Sequence, residues 1–303
     1  ERVAILQHAA SSAEDGVFFV VKRKINGNTV RYIERVSTRN FVDVRDAFFV
    51  DCGLSLNSPV VITNSTVANP VVVTAPAHGF ANGDEVDISD VIWESVFDSV
   101  NNETQPDQLN GQRFVVANAT TNTFELTGKD GTAFNAYVSG GTVRLAVATV
   151  TGLEHLEGRA VSILSNGNVI SGKTVTNGAI TLTDKASRIH VGLKYISDVE
   201  TLNIEAQASR TVPTIQGISK KIPKVVIRFE RSRGLLIGPD SANLIEMKQR
   251  EYEDIGDPIA LLTGDKEIIL LPSWNTNGRL LLRQSYPLPM TILAVIPDVV
   301  LSV

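Results

Sequence analysis

The amino-acid sequence predicts an all-β protein made of several small antiparallel barrels or sandwiches with one or two short helices. Three observations predict this fold class. Turn-forming pairs are frequent, short apolar and β-branched runs lie between them, and no long window carries a clean helical apolar stripe free of Gly and Pro.

The turns are marked by Asn-Gly or Asp-Gly pairs, which tolerate positive φ and favour tight hairpins. They occur at 15–16, 26–27, 82–83, 110–111, 130–131, 166–167, 177–178 and 277–278. The runs between them predict strands at 17–21, 30–36, 71–74, 114–116, 123–126, 161–164, 179–182, 225–229 and 280–283. Strands separated by hairpin turns at this spacing are typical of antiparallel sandwiches and barrels.

Helices are predicted at only two short segments. The best candidates are 91–100 and 241–246, and Asp240 and Ser241 are candidate N-caps for the second.

Composition limits the class of protein. Of 303 residues, 43% are hydrophobic and 20% are charged, so packed cores are expected and wholesale disorder is excluded. A net charge of −5 is too small to imply a nucleic-acid or membrane partner for the whole chain. The single cysteine, Cys52, excludes an intrachain disulfide. No apolar run approaches the ~18 residues of a membrane span. Because the sequence begins with Glu1, we expect a piece of a longer protein.

Charged residues and amino-acid composition are distributed unevenly along the chain. Residues 57–147 carry 3 basic and 10 acidic side chains, are rich in Asn and Thr, and are bracketed by Asn57-Ser58-Pro59 and Ser139-Gly140-Gly141. This pattern predicts an acidic β module inserted into a discontinuous body of residues 1–56 and 148–303. Within the body we expect a small β subdomain at 148–196 and a C-terminal β part at 197–303. Since the ends of an inserted domain are usually close, the runs 47–56 and 143–151 should lie near each other.

Residues that could carry chemistry are scattered. His8, His78, His155 and His190 lack metal-ligand spacing, and we interpret them as structural or surface residues. The stretch 84–90 is interpreted as a strand with one acidic face, and its alternative is a divalent cation bound by Asp84, Asp87 and Asp90. Cys52 is interpreted as a small core residue rather than a nucleophile. The sequence therefore identifies no catalytic, cofactor-binding or metal-binding residue and no cofactor, although a pair of carboxylates for glycosidase chemistry is defined only by its separation in space.

One segment is strongly basic. Residues 210–233 hold seven cations against one acid, Glu230. The structural interpretation is a solvated edge strand whose charges prevent it from pairing with another chain. The functional interpretation is a surface that faces DNA or docks on an acidic neighbour. The candidate residues are Lys220, Lys221, Lys224, Arg228, Arg231 and Arg233.

Several stretches, taken in order, resemble a known family. They read NGNTVRYIER at 26–35, AFFVDCGLSL at 47–56, TGLEHLEGRAVSILSNGNVISGKTVTNG at 151–178, IHVGLKY at 189–195, NGRLLLRQ at 277–284 and YPLPMTILAVIP at 286–297. This order resembles the C-terminal part of tail proteins of short-tailed bacteriophages, a group that includes nozzle (tail tubular) proteins and packaged-DNA stabilisation proteins. The resemblance covers nearly the whole chain outside 57–147.

The acidic module carries a second resemblance. Its motifs include HGF at 78–80, GDEV at 83–86, LNG at 109–111, TFEL at 123–126 and YVSGGT at 137–142. They resemble a small β-barrel repeat of phage tail proteins, labelled after the first catalytic cysteine half-domain of ubiquitin-activating enzymes. The module has no cysteine, so that enzyme's chemistry is not implied.

The family resemblance implies a structural, non-catalytic virion protein made in the bacterial host cytoplasm. It implies partners among the other tail and portal-adaptor subunits and among copies of itself in a ring, expected to be hexameric. It also implies non-specific contact with packaged double-stranded DNA, and no membrane span. The alternative is a tail-associated glycan-binding or glycan-cleaving adhesin, with Trp93, Trp274 and Tyr286 as stacking platforms.

Overall fold

The computed structural model describes residues 2–6, 15–37, 40–94, 97–98, 103–104, 108–205, 214–254, 256–271 and 273–302. Strands dominate this part of the chain and form multiple antiparallel sheets. The strands are β1 Arg2–Leu6, β2 Gly16–Ile25, β3 Asn28–Arg35, β4 Asp51–Leu56, β5 Val60–Val61, β6 Asn64–Ser65, β7 Val72–Thr74, β8 Glu85–Trp93, β9 Phe97–Asp98, β10 Glu103–Thr104, β11 Gln112–Ala117, β12 Thr123–Leu126, β13 Tyr137–Val150, β14 Ala160–Ser165, β15 Asn168–Thr174, β16 Ile180–Ala186, β17 Ile189–Leu193, β18 Ser197–Glu200, β19 Lys220–Ser232, β20 Leu235–Gly238, β21 Ile245–Glu246, β22 Leu262–Ile269, β23 Leu281–Gln284 and β24 Ile292–Leu301.

The all-β prediction is confirmed, and all nine predicted strands overlap observed ones. Two short 3-10 helices, Val44–Asp46 and Glu154–Leu156, are the helices of the described residues. The predicted helix positions were wrong over their described residues, and residues 95–96 and 99–100 of the first candidate lie outside that part of the chain. Val91, Ile92 and Trp93 end β8 and pair with β13, and the end of the 241–246 candidate is β21.

Three of the turn pairs close two-residue hairpins. Asn26-Gly27 joins β2 to β3 and Asn166-Gly167 joins β14 to β15, with positive φ at both turn residues. Asn177-Gly178 lies between the bridged residues Thr176 and Ala179. Because a two-residue turn fixes which residues face each other, the register of these hairpins follows from the sequence.

The chain divides into two compact units. The first comprises Glu1–Gly53, Gly158–Thr174 and His190–Val303, and the second comprises Leu54–Glu157 and Val175–Ile189. The second unit therefore holds the whole acidic range 57–147 together with 54–56, 148–157 and 175–189.

The second unit is built mainly on one eight-stranded sheet, beside a separate two-stranded sheet of β9 and β10. The strand order of the larger sheet is β16-β13-β8-β11-β12-β7-β6, with β5 also paired to β13. The core side chains alternate along these strands, as in β8, where Val86 and Ile88 are buried. Asp90, at φ 63°, interrupts the alternation, and Val91 is the next buried residue. Gly141, at φ 98°, has no room for a side chain, because a Cβ there would lie 2.7 Å from Val91 Cγ2.

The first unit contains a β-sandwich. One layer is the sheet β18-β23-β20-β21 and the other is β22-β19-β24. Buried residues of β19, β20, β22 and β23 form their common core, including Val225, Phe229, Ile237 and Leu282. Separate sheets are formed by β15-β14-β17-β4 and by β1-β2-β3.

Candidate functional site

The predicted basic segment lies on β19, the central strand of the sheet β22-β19-β24. Its odd-numbered apolar residues Val225, Ile227 and Phe229 face the core. Lys224 and Arg228 therefore lie on the outer face, because successive strand residues point to opposite sides. Arg210 lies outside the described residues.

Lys224 and Arg228 are held by acids of the neighbouring strand β22. Lys224 Nζ lies 3.0 Å from Glu267 Oε2, and Arg228 donates two hydrogen bonds, of 2.8 and 2.9 Å, to the carboxylate of Asp265. The hydrogen bond from Arg228 lowers the pKa of Asp265, and the bond to Glu267 raises the pKa of Lys224. On this outer face both cations are paired with carboxylates.

Lys220 and Arg233 are buried. Lys220 is 1% exposed and its Nζ donates to Thr276 O at 2.8 Å, and Arg233 Nη1 donates to Gly167 O at 2.7 Å. Burial lowers the pKa of Arg233, with a further contribution from Arg250. Both side chains donate hydrogen bonds to backbone carbonyl oxygens within the first unit.

Lys221 and Arg231 rest on aromatic rings. Lys221 Nζ lies 4.9 Å from the centre of the Trp274 ring, and the Arg231 guanidinium carbon lies 4.6 Å from that of Phe41. Arg231 also donates to Phe41 O and Val42 O, at 2.7 and 3.0 Å. The six candidates thus face different surroundings, each with its own intramolecular contact.

The acidic stretch 84–90 forms most of β8, as the strand interpretation expects. Asp84 accepts a hydrogen bond from Ala81 N, Asp87 accepts two from Arg113, and Asp90 accepts one from Ser89 Oγ. Within the described ranges, no group of three or more His, Cys, Asp or Glu side chains could hold a metal ion.

Two histidines are structural. His78 Nδ1 accepts a hydrogen bond from Phe80 N at 2.9 Å, so the ring proton is assigned to Nε2, which faces Thr123 O at 3.4 Å. His190 contacts Arg45 O through Nε2 at 3.0 Å and packs edge-on against Phe48. His155 lies in a 3-10 helix, and His8 lies outside the described residues.

Cys52 is half-buried. This corrects the interpretation, based on its apolar sequence neighbours, that it is a core residue. Arg23 Nη2 lies 2.5 Å from its Sγ and also contacts Glu34. Burial raises the pKa of the Cys52 thiol, and Arg23 opposes that rise. A thiol with a raised pKa is a poor nucleophile at neutral pH.

The three aromatic platform candidates differ in exposure. Trp93 packs on the core of the second unit, with its ring edge-on to Phe134 and Tyr137. Tyr286 is half-buried and its hydroxyl lies 3.3 Å from Glu246 Oε2. Trp274 is 50% exposed, although Lys221 covers one face of its ring.

Sequence reasoning missed a surface on the sheet β1-β2-β3. No residue of these strands is buried, and Ile33 is 77% exposed. The register sets five cations on one face, which we call the cationic face: Arg2, Lys22, Lys24, Arg31 and Arg35. The described residues of this face include no Asp or Glu. The turn Asn26-Gly27 was the available signal, since it places Lys22 opposite Arg31.

No protein-family model matches the chain, and a search of curated proteins returns no significant match. No helix in the described part of the chain combines the length and apolarity that crossing a bilayer requires.

Proposed function

We propose that the chain is a structural component of a bacteriophage tail, a fragment of a nozzle or DNA-stabilisation protein that has no catalytic role. It would be made in the host cytoplasm and built into the virion beside other tail or portal-adaptor subunits and copies of itself, in a ring expected to be hexameric. In that place it would help to form the wall of the channel that retains and passes the genome.

One observation carries this proposal. The stretches that resemble the tail-protein family are far apart in sequence, yet three of them form a single sheet. β4 comes from 47–56, β14 and β15 come from 151–178, and β17 comes from 189–195. A resemblance confined to scattered turn motifs would not be expected to assemble one continuous element.

The side-chain contacts fit a mechanical role. In the sandwich of the first unit, the outer face of β19 is tied to β22 by the pairs Lys224–Glu267 and Arg228–Asp265. These pairs engage Lys224 and Arg228 within their own sheet, so they correspond to neither alternative for the basic segment, a DNA-facing surface or docking on an acidic neighbour such as the 57–147 module. Cross-strand charge pairs and a shared core make a sheet resist sliding.

The acidic range 57–147 is proposed to be an inserted module. Its core residues run from Ile62 to Val143, and the half-buried side chains that pack on them also lie within 57–147. Val60 pairs directly with Val143, so the two ends of the range are neighbours. These features support a barrel-like module with its own core.

The adhesin alternative has one observation in its favour, the half-exposed ring of Trp274. Aromatic rings of this kind stack on sugars. A glycan array and a depolymerase assay with the purified chain separate the two functions. Binding that is lost in Trp274→Ala would favour the adhesin, and neither binding nor cleavage is expected of a channel wall.

The direct test is the location of the protein in virions. Gold-labelled antibodies against the purified chain should mark one end of the tail in particles of the phage that encodes it. Mass spectrometry of purified particles should find the chain in constant proportion to the other tail proteins. Particles that lack the chain would overturn the proposal.

A further inference from the structure

The sheet β22-β19-β24 has two faces that differ in their surroundings. Its inner face supplies Val225 and Ile227 to the sandwich core. Three apolar residues of the two outer strands lie on the opposite face: Ile269, Ile296 and Val300. They pair with residues of β19 that alternate with the buried ones: Lys224, Val226 and Lys221. The outer face therefore combines apolar and charged side chains.

Apolar side chains of this outer face are left in water. Ile269 and Leu271 are each 74% exposed and flank the buried Leu270, so both point outward. Trp274 is 50% exposed, and Lys221 of β19 lies against its ring. With two exposed residues of β24 they form a surface that we call the apolar face: Ile269, Leu271, Trp274, Ile296 and Val300. Side chains of this number and exposure leave on the order of 500 Å² of apolar surface in water, and patches of about 300–600 Å² are often functional.

The charges of the outer face cancel. Over the paired positions from Lys221 to Arg228 it carries three cations and three acids: Lys221, Lys224, Arg228, Asp265, Glu267 and Asp298. The sum is zero, whereas the whole chain carries −5. A neutral face approaches a second copy of this acidic chain without the repulsion that an acidic face would meet. It also offers no net attraction to DNA or to an anionic membrane.

Strand addition along the edge of this sheet is disfavoured. β24 is an edge strand of the sheet, but Pro297 lies in its middle and has no N–H to donate to a neighbouring strand. Asp298 places a charge beside it, and both residues are devices that protect sheet edges from pairing. The face, rather than the edge, is therefore the part of the sheet suited to a partner.

We propose that the apolar face packs against a second copy of this chain. The inference rests on the proposed function for its biological meaning, since a ring requires contacts between copies, and it names one surface through which they are made. Neighbours in a ring meet through different patches, so the opposing surface lies elsewhere on the chain. Trp274 is the expected anchor, because exposed aromatic residues that become buried dominate interface energies.

The contact is weak in dilute solution. Specific interfaces bury about 1,200–2,000 Å² in total, and the apolar face supplies an area near the lower end of that range. The purified chain should therefore be monomeric at low concentration and associate as its concentration rises. Because apolar contacts supply the attraction, the association should depend little on salt concentration.

The experiment measures sedimentation of the purified full chain from micromolar concentration to its solubility limit. The weight-average mass should rise with concentration. The triple variant Ile269→Thr, Leu271→Thr and Ile296→Thr keeps residues suited to strands, and it should raise the dissociation constant at least about tenfold. The control replaces exposed apolar residues outside this sheet, and it should associate like the parent chain: Ile33→Thr, Val36→Thr and Val199→Thr. Circular dichroism and thermal melting check that each variant is folded.

A second measurement does not need the triple variant to fold. A photoreactive phenylalanine analogue replaces Ile296 in an equal mixture of isotopically light and heavy chains. Irradiation should give cross-linked peptides that combine one light and one heavy chain, and their sequences locate the opposing surface. The same analogue in place of Val199 should give no such mixed peptides.

Three results would overturn the inference. The first is a parent chain that stays monomeric at every concentration, and the second is an equal loss of association in the triple variant and the control. The third is a monomeric chain that sediments with vesicles of phosphatidylcholine and phosphatidylglycerol and loses this binding in the triple variant. That result would identify a lipid surface as the partner.

The two proposals fail separately. If the chain is found in virions but does not associate through the apolar face, only this inference is wrong. If copies associate through this face but the chain is absent from particles, only the tail assignment is wrong.

Discussion

At the scale of single residues, Cys52 illustrates how spatial neighbours decide reactivity. Its sequence neighbours are apolar, but its thiol lies against Arg23 at a backbone φ of 54°. Burial favours the neutral thiol, while the guanidinium favours the thiolate. The burial contribution is the larger, so the pKa of Cys52 is raised.

The thiol of Cys52 should therefore react slowly in the native protein. A maleimide or iodoacetamide reagent near pH 8 should label the folded chain more slowly than the denatured chain, in which the pKa returns to its ordinary value. Arg23→Met removes the group that lowers the pKa, so the pH at which labelling reaches half its maximal rate should rise. Equal rates before and after denaturation would contradict the prediction.

Gly238→Ala would test the packing of the sandwich layer β18-β23-β20-β21. Gly238 is buried at the end of β20, and a Cβ there would lie 1.9 Å from Asn243 O, a backbone atom that cannot rotate away. Gly238→Ala should destabilise the chain by about 1–3 kcal/mol. Gly16→Ala is the matched control, since its nearest neighbour is the movable ring of Phe18. Chemical denaturation measures both, and equal stabilities would refute the steric argument.

At the scale of elements, the connection between β21 and β22 is held by its own charged residues. Arg250 donates to the carbonyls of Glu253, Asp254 and Asp257, at 3.2, 2.7 and 3.1 Å. The Glu253 carboxylate accepts hydrogen bonds from Ala260 N, Glu251 N and Tyr252 N. These backbone bonds lower the pKa of Glu253 to about 2.

This connection should be sensitive to acid. A carboxylate whose pKa is lower in the folded chain stabilises it at pH values above its unfolded pKa of 4.5, and that stabilisation is lost as the pH falls towards 2. The melting temperature of the parent chain should exceed that of Glu253→Gln by a constant amount above about pH 4.5. The difference should shrink between pH 4.5 and 2. Glu267→Gln controls for loss of one exposed negative charge, and a difference that did not change with pH would contradict the assignment.

Strand positions could be predicted from the sequence because alternation and turn pairs are local signals. Helix candidates failed for the same reason: 91–93 suit either structure locally, and pairing with β13 decides the outcome. Asp240 does bind backbone amides, accepting from Ala242 N and Asn243 N, but in a turn that leads to β21. The sequence thus identified Asp240 correctly as an acceptor of backbone N–H groups, but no helix follows it.

The candidate site was harder to predict, because it depends on which strands become neighbours. The cations of 220–233 look alike in sequence, but Asp265 and Glu267 reach two of them only through the pairing of β19 with β22. The pairing of Lys22 with Arg31 spans only a two-residue turn. The turn signal in the sequence was therefore enough to locate the cationic face, although sequence reasoning missed it. A single sequence does not show which strands far apart in the chain pair with each other, or in which register.

At the scale of the whole molecule, the acidic module should be removable. Deleting residues 59–142 and joining the flanks with a short Gly-Ser linker should leave a remainder that melts cooperatively and keeps its β circular dichroism. The reason is that Val60, two residues beyond the remaining Ser58, pairs with Val143 at a Cα separation of about 4.5–5.5 Å, so the cut ends lie close enough for a short linker to join them. Residues 57–147 expressed alone should also fold around their own core. A deletion variant without a cooperative transition would show that the boundary is wrong.

The pairing of Val60 with Val143 also has a kinetic consequence. In the unfolded chain these residues are separated by about 80 others, and each halving of a closed loop saves roughly 0.6 kcal/mol of closure entropy. Once the module has folded, the flanking segments are joined by an effective loop of a few residues, about four halvings shorter, which is worth roughly 2.4 kcal/mol. Early folding of the module would therefore speed the search by which the two distant parts of the remaining chain find each other.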